Sequence, residues 1–256
     1  MILDGWGLAT NPAVSAIDKA NTPFIDSLFK TYPHAKLEAS GLAVGLPEGQ
    51  MGNSEVGHMN IGAGRVVYQD LVKINLAVQQ GELLTHPVLT AAFERAKAGK
   101  KKVHFLGLVS DGGVHAHIEH LKSLLTSATV AGLSNVFVHA FTDGRDTDPK
   151  SGMKFMTDLV KHTKKTGTAV ASVTGRYFAM DRDNRWERVA LAYHAMVDAE
   201  GTPSQDVLAS IQASYDAGVT DEFIKPIIAT DADGKPLAKI QAGDVVICFN
   251  FRTDRG

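Results

Sequence analysis

Four short apolar runs stand out along the later part of the chain. Each is rich in β-branched residues, as buried strands are, and longer segments of helical periodicity separate them. Strands joined by crossover helices predict a parallel sheet, so the expected fold class is α/β. The predicted strands span residues 103–109, 135–141, 168–174 and 244–249.

Apolar residues at helical spacing between these runs predict the helix faces that pack on the sheet. We expect three such faces to belong to the hydrophobic core. Their residues are Ile118, Leu121 and Leu125; Phe155, Met156, Leu159 and Val160; and Val189, Ala192, Tyr193 and Met196.

The first hundred residues follow a different pattern. We expect a short strand at Ile2 and Leu3, then a helix with Thr22 as N-cap and Pro23 in its first turn. Residues 39–64 contain seven glycines, which indicates a loop-rich segment. Helical periodicity resumes afterwards, so a domain boundary is expected near residues 66–70. The buried face of the first helix is predicted to be Ile25, Leu28, Phe29 and Tyr32.

Composition excludes several classes of function. The 256 residues include 26 basic and 28 acidic residues and one cysteine, Cys248. This balance gives no general positive field for nucleic acid, and one cysteine cannot form an internal disulfide. No apolar stretch approaches the roughly 20 residues of a membrane span. We expect a cytoplasmic protein that binds neither nucleic acid nor membranes, and a chain that is part of a longer protein.

Arginines recur just after the predicted strands, where ligands bind in open α/β sheets. Several guanidinium groups at one site suit a small ligand with several negative charges, such as a phosphorylated carboxylic acid. The alternative is that each arginine pairs with a nearby acid. We interpret Arg185 and Arg188 as surface salt-bridge residues. The candidate ligand-binding residues are Arg145, Arg176, Arg182, Arg252 and Arg255, and the nearby acids are Asp143, Asp146, Asp181, Asp183 and Asp254.

Histidines follow the first of these strands. His115 can gain or lose a proton near neutral pH. Asp111 and His115 have the spacing of a metal-binding pair, but a pair without a third ligand is weak evidence. For His117 and His120 we favour capping or solvated roles over metal binding.

A second candidate site lies in the glycine-rich segment. Asn53 or Ser54 would cap a helix that starts at Glu55, and a hydroxyl there faces unpaired N–H groups that stabilise phosphate. Ser54 is therefore either a plain cap or the carrier of a phosphoryl group. We expect no histidine or lysine near it, so a divalent metal is the natural activating group. Asp4 is a candidate ligand, unless it only organises the following turn.

Five segments together resemble the cofactor-independent phosphoglycerate mutases. Long motifs in the correct order are specific evidence. The chain is similar to the N-terminal half of that family, which belongs to the alkaline phosphatase-like metalloenzymes. The segments are residues 2–7 (Ile-Leu-Asp-Gly-Trp-Gly), 45–58 (Gly-Leu-Pro-Glu-Gly-Gln-Met-Gly-Asn-Ser-Glu-Val-Gly-His), 110–115 (Ser-Asp-Gly-Gly-Val-His), 143–147 (Asp-Gly-Arg-Asp-Thr) and 175–183 (Gly-Arg-Tyr-Phe-Ala-Met-Asp-Arg-Asp).

The resemblance implies a fold and an activity. A parallel-sheet phosphotransferase domain, here residues 68–256, is inserted in an alkaline phosphatase-like α/β domain, of which residues 1–67 form the first part. The family interconverts 3-phosphoglycerate and 2-phosphoglycerate in glycolysis and gluconeogenesis. It works through a phosphoserine, with two divalent metal ions, commonly manganese, and without 2,3-bisphosphoglycerate. We expect a monomer.

The resemblance also implies roles for individual residues. Ser54 matches the phosphorylated serine, Asp4 and Ser54 match two ligands of one metal ion, and Asp146 is the candidate proton acceptor. The matched substrate-binding residues are His115, Arg145, Asp146, Arg176, Arg182, Arg252 and Arg255.

The family's other metal ligands and a substrate-site lysine lie in a C-terminal half that this sequence does not contain. We therefore expect that the isolated chain neither holds two metal ions nor catalyses the reaction. Two alternatives stay open. One is a phosphatase or phosphopentomutase of the same superfamily, and the other is an anion-binding fragment without catalysis.

Overall fold

The chain forms two compact units. The computed structural model describes residues 1–3 and 5–255, with Arg255 described by its backbone alone. The units are Met1–Val72 and Lys73–Gly256. Their boundary falls a few residues after the one expected from the sequence, within the helix that begins at Asp70.

The first unit consists of short helices around the glycine-rich segment. Pro23 opens the second helix as expected, but Thr22 caps no backbone N–H, and its hydroxyl donates to Asp26 instead. The face expected to be buried is only half buried, and Tyr32 is exposed. Residues 1–3 are not in a strand, contrary to expectation, because no other described segment pairs with them. The helices are α1 Ala16–Lys19, α2 Pro23–Thr31, α3 Ser54–Ala63 and α4 Asp70–Gln79.

Helix α3 is fixed to the glycine-rich segment by Asn60. Its amide donates to the carbonyl of Val44 at 3.0 Å, and its side-chain oxygen accepts from the N–H of Val67 at 2.7 Å. Gly45 lies between these contacts at φ +82°, and a Cβ there would collide with the backbone of Val67. The segment that carries Ser54 is therefore ordered by specific contacts around a small core of Val44, Leu46 and Val56.

The second unit contains a six-stranded sheet. The four predicted strands are confirmed to within one residue at each end, and two strands of three residues were not predicted. The strands are β1 Val103–Leu108, β2 Val136–Thr142, β3 Ala169–Gly175, β4 Thr202–Ser204, β5 Ile227–Ala229 and β6 Val245–Cys248. Their order is β4-β5-β3-β2-β1-β6. All paired neighbours run parallel except β3 and β5, which are antiparallel.

Helices surround this sheet. The apolar faces predicted at residues 118–125 and 155–160 are confirmed as core, with Val160 half buried. The expectation for the face at residues 189–196 is wrong in part, because Ala192 is buried whereas Tyr193 is 55% exposed. Consecutive helical residues lie about 100° apart, so Tyr193 projects from a different side of the helix than Ala192, and that side is exposed here. The helices are α5 Pro87–Gly99, α6 Ile118–Val130, α7 Gly152–Thr166, α8 Arg176–Ala179, α9 Trp186–Val197 and α10 Val207–Asp216.

None of the helices in the described part of the chain combines the length and apolar character that crossing a membrane requires.

Candidate functional site

The parallel strands β1, β2 and β3 end at the same edge of the sheet, and charged residues follow each end. Arg176 comes directly after β3 and is only 1% exposed. Its Nη1 donates to Asp143 Oδ1 at 2.7 Å and to Asp146 Oδ2 at 2.6 Å, and both acids follow β2. The pairing of an arginine with nearby acids, which the sequence left open, thus holds for Arg176.

Asp143 organises the loop after β2. Its carboxylate accepts hydrogen bonds from the Ser110 hydroxyl at 2.6 Å and from the backbone N–H groups of Arg145 and Asp146. Burial would raise the pKa of Asp143, but the hydrogen bonds from Ser110, Asp146 and Arg176 hold it below its ordinary value. Asp143 therefore remains a carboxylate and fixes Arg176.

His115 lies between two carboxylates. Its Nε2 is 3.9 Å from Asp146 Oδ2, and its Nδ1 is 3.6 Å from Asp254 Oδ1. The ring is buried, and Nδ1 has no hydrogen-bond partner within bonding distance in the described structure. Burial and then the charge of Arg176 lower the pKa of His115, so the ring is neutral at neutral pH.

Asp254 connects further predicted site residues. Its Oδ1 is 2.9 Å from Arg252 Nε, and its Oδ2 is 3.9 Å from Arg182 Nη1. Arg255 ends the same turn, Thr253–Arg255, and its side chain lies outside the described structure. Shared carboxylates therefore bring together five of the predicted residues. They are His115, Asp146, Arg176, Arg182 and Arg252.

Arg145 lines a cleft of about 190 Å³ in the second unit, together with Arg176, Arg182 and Arg188. Its side chain is exposed, and its Nη1 is 3.7 Å from Glu222 Oε1. Three acids, Asp181, Asp183 and Glu222, line the same cleft, so its four arginines leave an excess of one positive charge for a small anion.

Arg188 is a salt-bridge residue, as expected, but it does not lie on the open surface. Its Nη1 donates to Asp181 Oδ1 at 3.1 Å, and its guanidinium lies 4.0 Å from the ring centroid of Tyr177. Arg188 therefore forms part of the cleft wall, whereas Arg185 is exposed.

The residues that support the loops after β2 and β3 were not predicted from the sequence. The buried carboxylate of Asp221 accepts hydrogen bonds from the N–H of Gly152 at 2.7 Å and from the hydroxyl of Tyr215. The backbone of residues 221–224 packs so closely on Gly144 and Gly175 that a Cβ at either glycine would collide with it. Arg145 and Arg176 each follow one of these glycines. No motif or spacing marks Asp221, because Gly152 is distant in sequence and because only the fold shows that Asp221 and nearby Tyr215 are buried together.

Ser54 belongs to the first unit and begins α3. Asn53 is the N-cap, with its side-chain oxygen 3.0 Å from the N–H of Val56, so the first of the two expected caps is correct. The expectation that no histidine lies near Ser54 is wrong. His58, one turn later, has Nδ1 3.1 Å from Ser54 Oγ and 2.8 Å from the Ser54 carbonyl oxygen. The shorter contact makes Nδ1 a hydrogen donor, and a donor nitrogen cannot also accept the serine proton.

Asp111, His117 and His120, for which the sequence favoured roles other than metal binding, are not gathered into a metal site in the described residues. Asp4 lies outside them. Asp111 faces Lys154 at 4.0 Å. His117 caps α6, and His120 Nε2 hydrogen-bonds Asn75 at 2.7 Å. Among described residues, the one cluster with three potential ligands is exposed and consists of His194, Asp198 and Glu200.

The fold and the cleft define an α/β protein with cations and acids grouped at the carboxyl edge of a mostly parallel sheet. Comparison with known proteins identifies the family. The chain belongs to the family described as the BPG-independent PGAM N-terminus, which matches residues 74–256. The resemblance found in the motifs is thereby confirmed.

Relatives and a solved structure agree with this family. The chain is 62% identical, over 256 residues, to the 2,3-bisphosphoglycerate-independent phosphoglycerate mutase of Flavobacterium johnsoniae, covering 100% of this chain and 51% of the relative. It is 54% identical to the enzyme of the same description in Myxococcus xanthus, covering 99% of this chain and 50% of that one. A Leishmania mexicana phosphoglycerate mutase structure, determined at low cobalt concentration, matches with a TM-score of 0.73 and 37% identity, covering 93% of this chain and 46% of that one. The chain thus spans about half the length of the relatives it matches.

Proposed function

We propose that this chain is part of an enzyme that interconverts 3-phosphoglycerate and 2-phosphoglycerate through a phosphoserine on Ser54. The observation that carries the proposal is the group of cations at the strand ends, in a chain whose relatives bear the name of this mutase. The substrate combines a phosphate and a carboxylate on a three-carbon acid, which is the ligand chemistry that several converging guanidinium groups suit.

The two units have different tasks in this proposal. Residues 68–256 form the phosphotransferase domain, and residues 1–67 form the first part of a phosphatase-like domain. His115, Arg145, Arg176, Arg182, Arg252 and Arg255 bind the phosphate and carboxylate of the substrate. Binding by these residues keeps glycerate in place after the phosphoryl group has left it, and this retention separates a mutase from a phosphatase.

The reaction consists of two transfers. Ser54 loses its hydroxyl proton and its Oγ bonds to phosphorus, while the bond from phosphorus to O3 of the substrate breaks and O3 takes up a proton. The glycerate then reorients, O2 loses its proton and bonds to phosphorus, the bond from phosphorus to Ser54 Oγ breaks, and Oγ takes up a proton again. We assign the role of proton acceptor for the glycerate hydroxyl to Asp146. Arg176 holds this carboxylate at 2.6 Å.

The N-terminus of α3 supports Ser54 as the phosphoryl carrier. Backbone N–H groups at a helix start stabilise a phosphate through hydrogen bonds and the helix dipole. Since His58 Nδ1 donates to a carbonyl oxygen, activation of Ser54 requires another group.

We propose that this enzyme depends on divalent metal ions, with manganese as the candidate and with Asp4 and Ser54 as two ligands. Divalent ions in such sites take four to six ligands. Ser54 contributes one oxygen, and the described residues around it do not complete a site, so we derive no step through a metal. We also propose a cytoplasmic monomer that acts on a small molecule, needs no 2,3-bisphosphoglycerate and binds neither nucleic acid nor membranes.

Product analysis tests this function. The full-length protein is incubated with manganese and with 3-phosphoglycerate labelled in both its carbon skeleton and its phosphate. A mutase gives 2-phosphoglycerate that carries both labels. Release of labelled phosphate and free glycerate would indicate a phosphatase instead, and turnover of a pentose phosphate alone would indicate a phosphopentomutase.

A further inference from the structure

The carboxylate of Asp254 faces two guanidinium groups and the ring of His115. Its Oδ1 faces Arg252 Nε at 2.9 Å and His115 Nδ1 at 3.6 Å, and its Oδ2 faces Arg182 Nη1 at 3.9 Å. Both oxygens are thus directed at groups that recognise oxyanions.

The proposed function assigns substrate binding to all three of these partners. A ligand oxyanion that binds Arg252, Arg182 and His115 together needs the space that the Asp254 carboxylate fills. We propose that Asp254 is an internal counter-ion which the anionic group of the ligand displaces, so that Asp254 sets the affinity of the site. This inference rests on the proposed function, because it assumes that the three partners bind an anion.

The geometry distinguishes Asp254 from the structural carboxylate Asp143. Asp143 and Arg176 are each 1% exposed and lie 2.7 Å apart. If a ligand anion replaced Asp143 as the partner of Arg176, the buried Asp143 charge would be left without a partner. Asp254 is 35% exposed, and Arg252 and Arg182 are about half exposed at 49% and 53%. Two of the three contacts of Asp254 exceed the roughly 2.7–2.9 Å of a strong charge-assisted hydrogen bond. The Asp254 carboxylate is therefore free of the constraints that fix Asp143.

An internal counter-ion has two physical effects. Without ligand it offsets the mutual repulsion of Arg182 and Arg252. With ligand it competes, so part of the attraction between the arginines and the bound anion is lost, and both substrate binding and product retention are weakened.

Titration with inorganic phosphate tests the inference without requiring catalysis. Calorimetry at low ionic strength compares this chain with its Asp254→Asn, Arg252→Gln and Glu119→Gln variants. Glu119 is a matched control because Glu119→Gln removes the same charge from an exposed pair with Lys122. We expect Asp254→Asn to bind phosphate about three- to tenfold more tightly and Glu119→Gln to bind like the unaltered chain. Arg252→Gln should bind more weakly, and the advantage of Asp254→Asn should shrink at high salt.

Unchanged or weaker phosphate binding by Asp254→Asn would overturn the inference. A complete lack of phosphate binding by both the unaltered chain and Asp254→Asn would also overturn it. A second measurement needs no variant. In the unaltered chain, the carboxyl ¹³C resonance of Asp254 should move when phosphate is added, and a resonance that stays in place also counts against displacement. Failure of the proposed function is recognised separately, by the absence of 2-phosphoglycerate in the product analysis of the full-length protein.

Discussion

At the scale of single residues, burial decides which arginine and acid pairs are structural. Arg176 and Asp143 are almost completely buried and hydrogen-bonded, whereas Arg145 and Glu222 lie 3.7 Å apart with Arg145 exposed. The sequence predicted that these arginines lie at the ligand-binding edge of the sheet. It left open whether each one pairs with an acid or binds a ligand. It could not decide, because Asp143 and Asp146 reach Arg176 from about thirty residues away, and only the folded sheet brings them together.

The first prediction concerns Asp143. Asp143→Asn keeps the shape of the side chain but removes one of the two charges that compensate buried Arg176. We expect the free energy of unfolding to fall by about 3 kcal/mol, because a buried charge loses a partner. Urea denaturation measures this change. Asp183→Asn, at an exposed position, is the control and should change stability by less than about 0.5 kcal/mol. Equal effects of the two substitutions would contradict the role given to Asp143.

At the scale of elements, predictability depends on length and burial. Strands β1, β2, β3 and β6 were predicted because several consecutive apolar residues reveal a buried strand. Strands β4 and β5 have three residues each, too few to show a pattern, and β5 pairs antiparallel with β3. The strand expected at Ile2 and Leu3 does not form in the described structure. These two residues are apolar, but a strand also needs a neighbouring segment with which to pair.

The second prediction concerns the link between α7 and α10. The hydroxyl of Tyr215 on α10 donates to Asp221 and accepts from the N–H of Met153 at the start of α7 at 3.1 Å. Tyr215→Phe removes both hydrogen bonds and leaves buried groups unsatisfied, so we expect a loss of about 1–3 kcal/mol in unfolding free energy. Tyr193→Phe removes the same hydroxyl from a residue that is 55% exposed and should have little effect in the same denaturation experiment. A Tyr215→Phe variant as stable as the unaltered chain would refute this link.

The third prediction concerns buried histidines. His139 on β2 hydrogen-bonds His104 on β1 at 3.0 Å and Ser172 on β3 at 2.7 Å. Burial, and then the neighbouring His104, lowers the pKa of His139 to about 3. For His120, burial and then His117 lower the pKa to about 4.

These pKa values set the direction of the pH dependence. A histidine in the unfolded chain has a pKa of about 6.5, so below that pH the unfolded state binds protons that the folded state does not. The stabilisation is complete above pH 6.5 and decreases as the pH falls towards 4. Between the folded and unfolded pKa values, each such histidine contributes about 1.4 kcal/mol per pH unit. Urea denaturation at several pH values should show a shallower slope for His120→Gln than for His86→Gln, an exposed control. Identical slopes would show that His120 does not carry this effect.

At the scale of the whole molecule, the chain contains a cationic cleft in one unit and the candidate phosphoryl carrier in the other. It spans about half of its relatives, and the described residues around Ser54 do not complete a metal site. The motif resemblance predicted the family correctly. The sequence could not reveal the supporting residues Asp221 and Tyr215, because burial and distant packing, rather than any motif, give them their roles.

The fourth prediction follows from this division. The isolated chain should bind 3-phosphoglycerate in a calorimetric titration, because the cleft belongs to the second unit, yet it should give no 2-phosphoglycerate with manganese present. Arg145→Gln should weaken the binding, since Arg145 is an exposed cation that lines the cleft. Full mutase activity of the isolated chain would contradict the expectation that catalysis needs further residues.

The most direct test of the account is the phosphoserine itself. The full-length protein is mixed with manganese and 3-phosphoglycerate carrying labelled phosphate, the reaction is stopped within one turnover, and the peptides are mapped. We predict label on the peptide that contains Ser54, and neither label nor mutase turnover in the Ser54→Ala variant. Label on another residue, or unchanged turnover in Ser54→Ala, would contradict the account.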